Sequence, residues 1–190
     1  MLLSTACSWG TGSESESAIG RVSDAEGNPR IFRGHRYLEL DPGSSVEIRN
    51  SMTKGSSDKV AVKLRDGTIV YVGRDSELTI QEYSGRESPA RLRLTSSGGQ
   101  YRVTTGKSFK RAGSSMAIGT AFATILAGKA DMLVEHDVGA ESMIVMKLGS
   151  GSIVVKNQFG QMELFQQGDA ITTSFGLSPS SPVHMGGKDA

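Results

Sequence analysis

A near-repeat constrains this chain most. Val62-Lys63-Leu64-Arg65-Asp66-Gly67-Thr68-Ile69-Val70-Tyr71-Val72 returns as Met146-Lys147-Leu148-Gly149-Ser150-Gly151-Ser152-Ile153-Val154-Val155-Lys156. Each copy alternates apolar and polar residues, turns at an Asp-Gly or Ser-Gly step, and alternates again. Glycine supplies the positive φ of a tight turn, and the alternation buries one face of each strand. The spacing therefore predicts two β-hairpins. Each copy also runs on through a polar turn into a further strand, Glu77 to Ile80 in the first and Met162 to Phe165 in the second. The spacing is too irregular for a regular solenoid. The expected fold class is all-β: pseudo-repeated hairpins forming a twisted β-stack or sandwich, β-solenoid-like, with at most one short helix.

Composition agrees. The 24 glycines and 6% aromatic residues fit many turns between short strands. The length suits one domain with extensions. Lys plus Arg number 21 against 20 Asp plus Glu, and no basic run occurs, so nucleic acid is not an expected partner. No apolar run reaches the ~20 residues of a spanning helix. The longest, Ala117 to Ala127, holds Gly119 and two threonines. Cys7 is the sole cysteine, so no internal disulfide forms and burial must hold the fold.

Met1-Leu2-Leu3-Ser4-Thr5-Ala6-Cys7 has the apolar-small-cysteine order that ends a bacterial lipoprotein signal, which makes Cys7 a candidate lipidation site. A basic start and a longer apolar region are missing. The alternative is an ordinary N-terminus with a stray thiol. Residues 1–18 are expected to be a flexible tether, 19–175 the β domain, and the Ser/Pro/Gly-rich residues 176–190 a disordered tail.

Further strands are expected at Arg30 to Arg33, Tyr37 to Leu40, Ser45 to Arg49 and Arg91 to Leu94, the last broken by Ser96-Ser97-Gly98-Gly99. Gln100 to Thr104, Asp131 to Glu135, Ser142 to Leu148 and Ala170 to Thr173 follow. Lys107 to Ser114 reads as a polar surface loop. Met116 to Leu126 fits either a buried strand or a short helix capped at Ser114 or Ser115 and stopped by Gly128.

Several motifs fail on context. Ser51-Met52-Thr53-Lys54 matches the S-x-x-K pattern of serine acylases but lies in a polar loop, whereas that chemistry needs the serine at the start of a buried helix. Thr105-Gly106-Lys107-Ser108 resembles the end of a phosphate loop, but Tyr101 stands where its first glycine belongs and no helix pattern follows. Glu135-His136-Asp137 could hold a metal or move a proton, yet adjacent strand residues point to opposite faces and His35 and His184 are distant. A solvated turn is the plainer reading. No G-x-S-x-G elbow occurs.

A series of short motifs runs in order along the chain: Gly20-Arg21-Val22, Leu40 with Pro42-Gly43, Val60 to Leu64 into Asp66-Gly67-Thr68-Ile69-Val70, Asp75-Ser76-Glu77-Leu78, and Arg91 to Leu94 before Gly99. Gly119-Thr120-Ala121-Phe122, Gly151 to Val155 and Gln167-Gly168-Asp169-Ala170 complete the series. Through these residues the chain, from about Ile19 to Phe175, resembles the FecR-type domain, the extracytoplasmic module of bacterial regulators that relay iron-siderophore signals to sigma factors. Ile118 stands where the family commonly has arginine before Gly-Thr, the family's first Gly-Asp is missing, and Lys129 to Glu141 aligns less readily.

The resemblance implies a non-enzymatic module of the bacterial cell envelope or periplasm, a protein-binding adaptor or sensor in signalling or envelope assembly. It implies no cofactor and no catalytic residue. The expected partner is an envelope protein or a polysaccharide, with membrane contact only through a lipid anchor. Function would then lie in loops or at an exposed strand edge. The strand Arg91 to Leu94 is the expected edge, with Arg91 and Arg93 guarding it against indiscriminate pairing. The alternative is a carbohydrate-binding protein or a hydrolase using Ser51 with Lys54, or a site around His136.

Overall fold

The computed structural model describes residues 17–53, 58–73 and 75–185. Alternation sets the local structure, and among the described residues the regular elements are strands apart from one short 3-10 turn. The first half supplies β1 (Gly20–Glu26), β2 (Arg30–Arg33), β3 (Arg36–Glu39), β4 (Ser45–Val46), β5 (Ser51–Thr53), β6 (Lys59–Leu64), β7 (Ile69–Val72) and β8 (Glu77–Tyr83). The long β9 (Arg91–Thr104) follows. The second half adds β10 (Ser115–Gly119), β11 (Thr124–Ala127), β12 (Asp131–Asp137), β13 (Ser142–Lys147), β14 (Ile153–Asn157), β15 (Gly160–Leu164), β16 (Asp169–Ser174) and β17 (Val183–His184).

The strands form two sheets that share β9. In one the order is β4-β1-β6-β7-β9-β12-β13-β16-β17. In the other it is β3-β2-β5-β8-β9-β10-β11-β14-β15. Every pairing is antiparallel except β9 with β10. One continuous core runs through both sheets, from Val62 and Val70 to Leu94, Ile118, Val145 and Ile153. Burying each such side chain contributes roughly 1.5–3 kcal/mol.

Strand β9 is the joint. Its first half, to Ser96, lies in the second sheet between β8 and β10. Its second half, from Gly99, lies in the first sheet between β7 and β12. The inward positions change parity at the crossing: Leu92, Leu94 and Ser96 are buried before it, and Tyr101 and Val103 after it. Gly98 and Gly99 make the bend, with φ of 154° and 91°. A Cβ at Gly99 would run into Ser76. The Ser-Ser-Gly-Gly step that reads as a break is therefore a bend inside one strand.

Four further expectations change. The apolar run around Met116 to Leu126 is strand, as one alternative had it, but it is divided between β10 and β11. Thr120 closes the hairpin between them: its Oγ1 donates to the Ala123 carbonyl and accepts the Phe122 and Ala123 amides. The polar stretch after β9 holds a 3-10 turn over Lys107–Lys110 and buries Phe109 as well as Ser108. The C-terminal segment, expected to be disordered from residue 176, follows a defined path as far as Met185. Ser180 bonds across to Thr172, and β17 pairs with β16, because free backbone groups beside a sheet edge find partners there.

The fourth change concerns the repeat. The first copy is the expected hairpin, β6 paired with β7. In the second copy β13 and β14 do not pair. β13 joins β12 and β16 in the first sheet, while β14 joins β11 and β15 in the second. Its Ser-Gly turn is a corner of the sandwich. The Leu148 and Gly149 amides are drawn to the Asp131 carbonyl at 2.8 and 3.2 Å instead of closing a hairpin.

Candidate partner-binding edge

A strand at the end of a sheet offers a row of unpaired backbone donors and acceptors, to which another chain can add. Among the described residues the sheets end at β4, β17, β3 and β15. β4 and β17 have two residues each. β3 has four, carries Arg36 and Glu39, and follows Gly34 and His35 with positive φ of 55° and 69°. Its charges and this sharp turn guard it.

β15 differs. It has five residues, pairs only with β14 among the described residues, and carries one charge, Glu163. Its inner side is anchored by the buried Leu164 and by Met162, which packs against the core. Glu163 accepts from the Ser152 hydroxyl, and the Phe165 carbonyl just beyond the strand accepts from the buried Lys147 ammonium. Exposed phenylalanines flank the strand: Phe159 is 51% and Phe165 70% accessible.

The turn before β15 is fixed by Asn157, whose Oδ1 accepts the Phe159 amide at 2.9 Å, a local side-chain turn. Its Nδ2 donates to the Leu177 carbonyl at 2.7 Å and ties the C-terminal segment to the same end. Beside this turn opens a cleft of ≈ 250 Å³ between the β10–β11 turn, Lys156 to Phe159, and Phe175. Phe175 is 70% exposed and Leu177 62%. The Phe122 ring in the cleft wall meets the His136 imidazole edge-on at 5.0 Å.

The residues singled out in the sequence do not assemble there. Arg91 and Arg93 do not lie on an edge: their part of β9 is paired with β8 on one side and β10 on the other. Alternation marks a strand with one solvent face but does not say whether its backbone rims are occupied. The two side chains reach solvent, and Arg93 faces Glu82 at 3.8 Å. Ser51 sits in mid-sheet on β5, its Oγ donating to Glu77 at 3.0 Å. Lys54 and Cys7 lie outside the described residues. Gly106 gives its amide to Thr68 Oγ1, so that stretch is a turn.

Glu135, His136 and Asp137 lie on β12 instead of in a solvated turn, and only His136 points inward. Its Nδ1 lies 3.4 Å from Ser96 Oγ, and its Nε2 is buried without a hydrogen bond. Burial holds the imidazole below its ordinary pKa, with Asp137 opposing. Tyr101 shares this region. Burial pushes its hydroxyl above the usual phenol range, the neighbouring Ser96 pulling the other way, and its oxygen makes no hydrogen bond. Among the described residues no three His, Cys, Asp or Glu side chains converge as a metal site would need. No helix there is long and apolar enough to cross a membrane.

Sequence reasoning missed Phe159, Phe165, Phe175 and Leu177. The available signal was apolar residues placed in turns, out of phase with the alternation on either side.

No family model matches the chain, and no curated protein matches it. Two crystal structures, at 1.65 and 2.50 Å, of a "putative anti-sigma factor" from Parabacteroides distasonis ATCC 8503 resemble it with a TM-score of 0.56 and 16% sequence identity. The match covers 67% of this chain and 56% of that one, so this chain spans little more than half of its neighbour. At that identity the likeness shows the fold alone.

Proposed function

We propose that this chain is a non-enzymatic module of the bacterial cell envelope, a protein-binding adaptor or sensor in signalling or envelope assembly, which takes its partner by strand addition at β15. The observation that carries the reading is that edge: five residues with one charge, anchored on the inside and flanked by Phe159 and Phe165. Backbone pairing would supply affinity, and the two rings would supply the apolar anchors that dominate interface energetics. The FecR-type resemblance favours a place outside the cytoplasm, and the fold shared with a protein named as a "putative anti-sigma factor" is compatible with a regulatory role. Lipidation at Cys7 would tether the module to a membrane. Against a hydrolase, Ser51 Oγ is engaged by a carboxylate and His136 is 2% exposed.

The test is site-specific photo-crosslinking in the native host, with the photoreactive residue at Gln161 in one strain and at Tyr37 on β3 in another. The reading expects one dominant envelope protein captured from Gln161 and not from Tyr37. Replacing both Phe159 and Phe165 by Asp should lower that capture about 10-fold or more, since buried aromatic anchors each contribute above ~1 kcal/mol. Equal capture from both positions, or capture indifferent to the two phenylalanines, would remove β15 as the site.

A further inference from the structure

We infer that the β15 edge takes a second copy of this chain, the two strands pairing antiparallel about a two-fold axis through Met162. The inference rests on the reading of β15 as a partner-binding edge and names the partner. The hairpin fixes which groups are free. Asn157 and Gly160 flank a two-residue turn, so they form its hydrogen-bonded closing pair. Bonded and non-bonded pairs then alternate, which turns the backbone groups of Gly160, Met162 and Leu164 toward β14 and those of Gln161 and Glu163 outward. The Phe159 amide and the Phe165 carbonyl, one step beyond either end, are already held by Asn157 and Lys147. The free row therefore centres on Met162.

The side chains share that centre. A two-fold axis perpendicular to the sheet sets residues opposite one another when they lie equally far from it. About Met162 it places Gln161 of each copy opposite Glu163 of the other. The Gln161 amide group can donate to that carboxylate, which keeps acceptor capacity beyond its bond from Ser152. The same symmetry sets Phe159 opposite Phe165 on both sides, and these rings are 51% and 70% exposed in the single chain. Cross-strand aromatic pairs stabilise a sheet. The core side matches too. Met162, packed on the core, meets its own copy, and buried Leu164 falls opposite Gly160, where no side chain competes.

Neighbouring registers lose this match. Centred on Glu163, the axis sets the only charge of the strand against itself, and like charges directly opposite destabilise a pair. Centred on Gln161, it sets Phe159 against the Glu163 carboxylate. The β3 edge has no equivalent register: about Tyr37, Arg36 meets Leu38, and about Leu38, Tyr37 meets Glu39. One strand on one strand buries less than the ~1,200 Å² of a stable interface. The dimer therefore forms at high concentration, and the dilute chain keeps its edge open.

The test is sedimentation velocity of the full chain from about 10 μM to about 1 mM, the range of a weak interface. The inference expects a reversible monomer–dimer equilibrium. Gln161→Lys, which makes opposite-charge pairs with Glu163, should tighten it about 5-fold, and Gln161→Glu, which makes like-charge pairs, should weaken it about 5-fold. Gln161 is exposed, so neither change disturbs the core. Hydrogen exchange reads the register: the Gln161 and Glu163 amides, fast in the dilute chain, should slow as the dimer fills. A monomer throughout, or a dimer that both variants leave alone or move the same way, would overturn the inference. Crosslinking from Gln161 separates this outcome from failure of the β15 reading. Capture of a different protein alone would keep the edge and overturn the self-pairing, whereas no capture would remove both.

Discussion

The two copies of the repeated motif share a pattern and part company at the turn. In the first, Leu64 and Thr68 close a hairpin within one sheet, the Leu64 amide reaching the Thr68 carbonyl at 2.8 Å. In the second, the chain leaves one sheet at Lys147 and enters the other at Ile153. Asp66 accounts for much of the difference. Its carboxylate accepts the Thr68 amide at 3.1 Å, the Thr68 hydroxyl at 2.9 Å and the Tyr83 hydroxyl at 2.9 Å. Tyr83 takes the Asp66 amide in return, and Thr68 Oγ1 accepts the Gly106 amide. Burial and the adjacent Asp66 charge push the Tyr83 hydroxyl above the usual phenol range. The second copy has Ser150 and Ser152 at the positions of Asp66 and Thr68, and its amides turn to Asp131. That strand end is held from the side, where Arg102 and Thr104 grip the Asp131 carboxylate and keep its pKa below the ordinary value. Alternation therefore makes the strands, and side-chain chemistry at the turn decides whether they stay in one sheet.

The largest effect expected on this comparison comes from the two turn glycines. Gly151 has φ of 107°, and a Cβ there would collide with the Lys129 carbonyl oxygen. Gly67 has φ of 89° with nothing within 4 Å. Gly151→Ala should cost about 3–5 kcal/mol, from strain plus clash. Gly67→Ala should cost about 1–2 kcal/mol, from strain alone. Urea unfolding of the two variants measures the gap, and equal losses would mean that the second turn is not a tight corner.

Next comes the carboxylate. Asp66→Ala strands the Thr68 amide and hydroxyl and the Tyr83 hydroxyl, at about 2–4 kcal/mol. Ser150→Ala, at the matching exposed position, should stay within about 0.5 kcal/mol. Chemical denaturation of both variants checks the contrast. Comparable values would show that the first turn does not depend on its buried acid.

The smallest effect separates the halves by pH. Among the described histidines, His35 and His184 are exposed and only His136, in the second half, is buried. Its folded pKa lies below the ordinary 6.5. The stability tied to the neutral ring is therefore intact above that value, and is lost as pH falls from there through the folded pKa. Melting temperature should drop on going from pH 7 to pH 5, and His136→Phe should flatten that drop. An unchanged slope in the variant would place the acid sensitivity elsewhere.

Much of the strand content was legible in the residues. The Asp-Gly-Thr turn and the alternating runs at Val60 to Leu64, Arg91 to Leu94 and Asp131 to Glu135 fall where the pattern put them. Sheet membership was not legible. Period-two alternation records which face is wet, and that is a local property, whereas β9 joins two sheets through partners tens of residues away. The same limit misplaced the edge, because Arg91 and Arg93 look alike on a central or a terminal strand. Phe159 and Phe165 were hidden for a different reason: an apolar residue taken alone reads as core, and only its phase against the alternation on either side marks these two as exposed.

The central claim is that β15 is an open edge while the strand of Arg91 and Arg93 is not. Amide hydrogen exchange, residue by residue, tests it most directly. The account predicts slow exchange throughout Leu92 to Leu94, and fast exchange at alternate amides of Gly160 to Leu164, those facing away from β14. Uniform protection across Gly160 to Leu164, equal to that of Leu92 to Leu94, would contradict it.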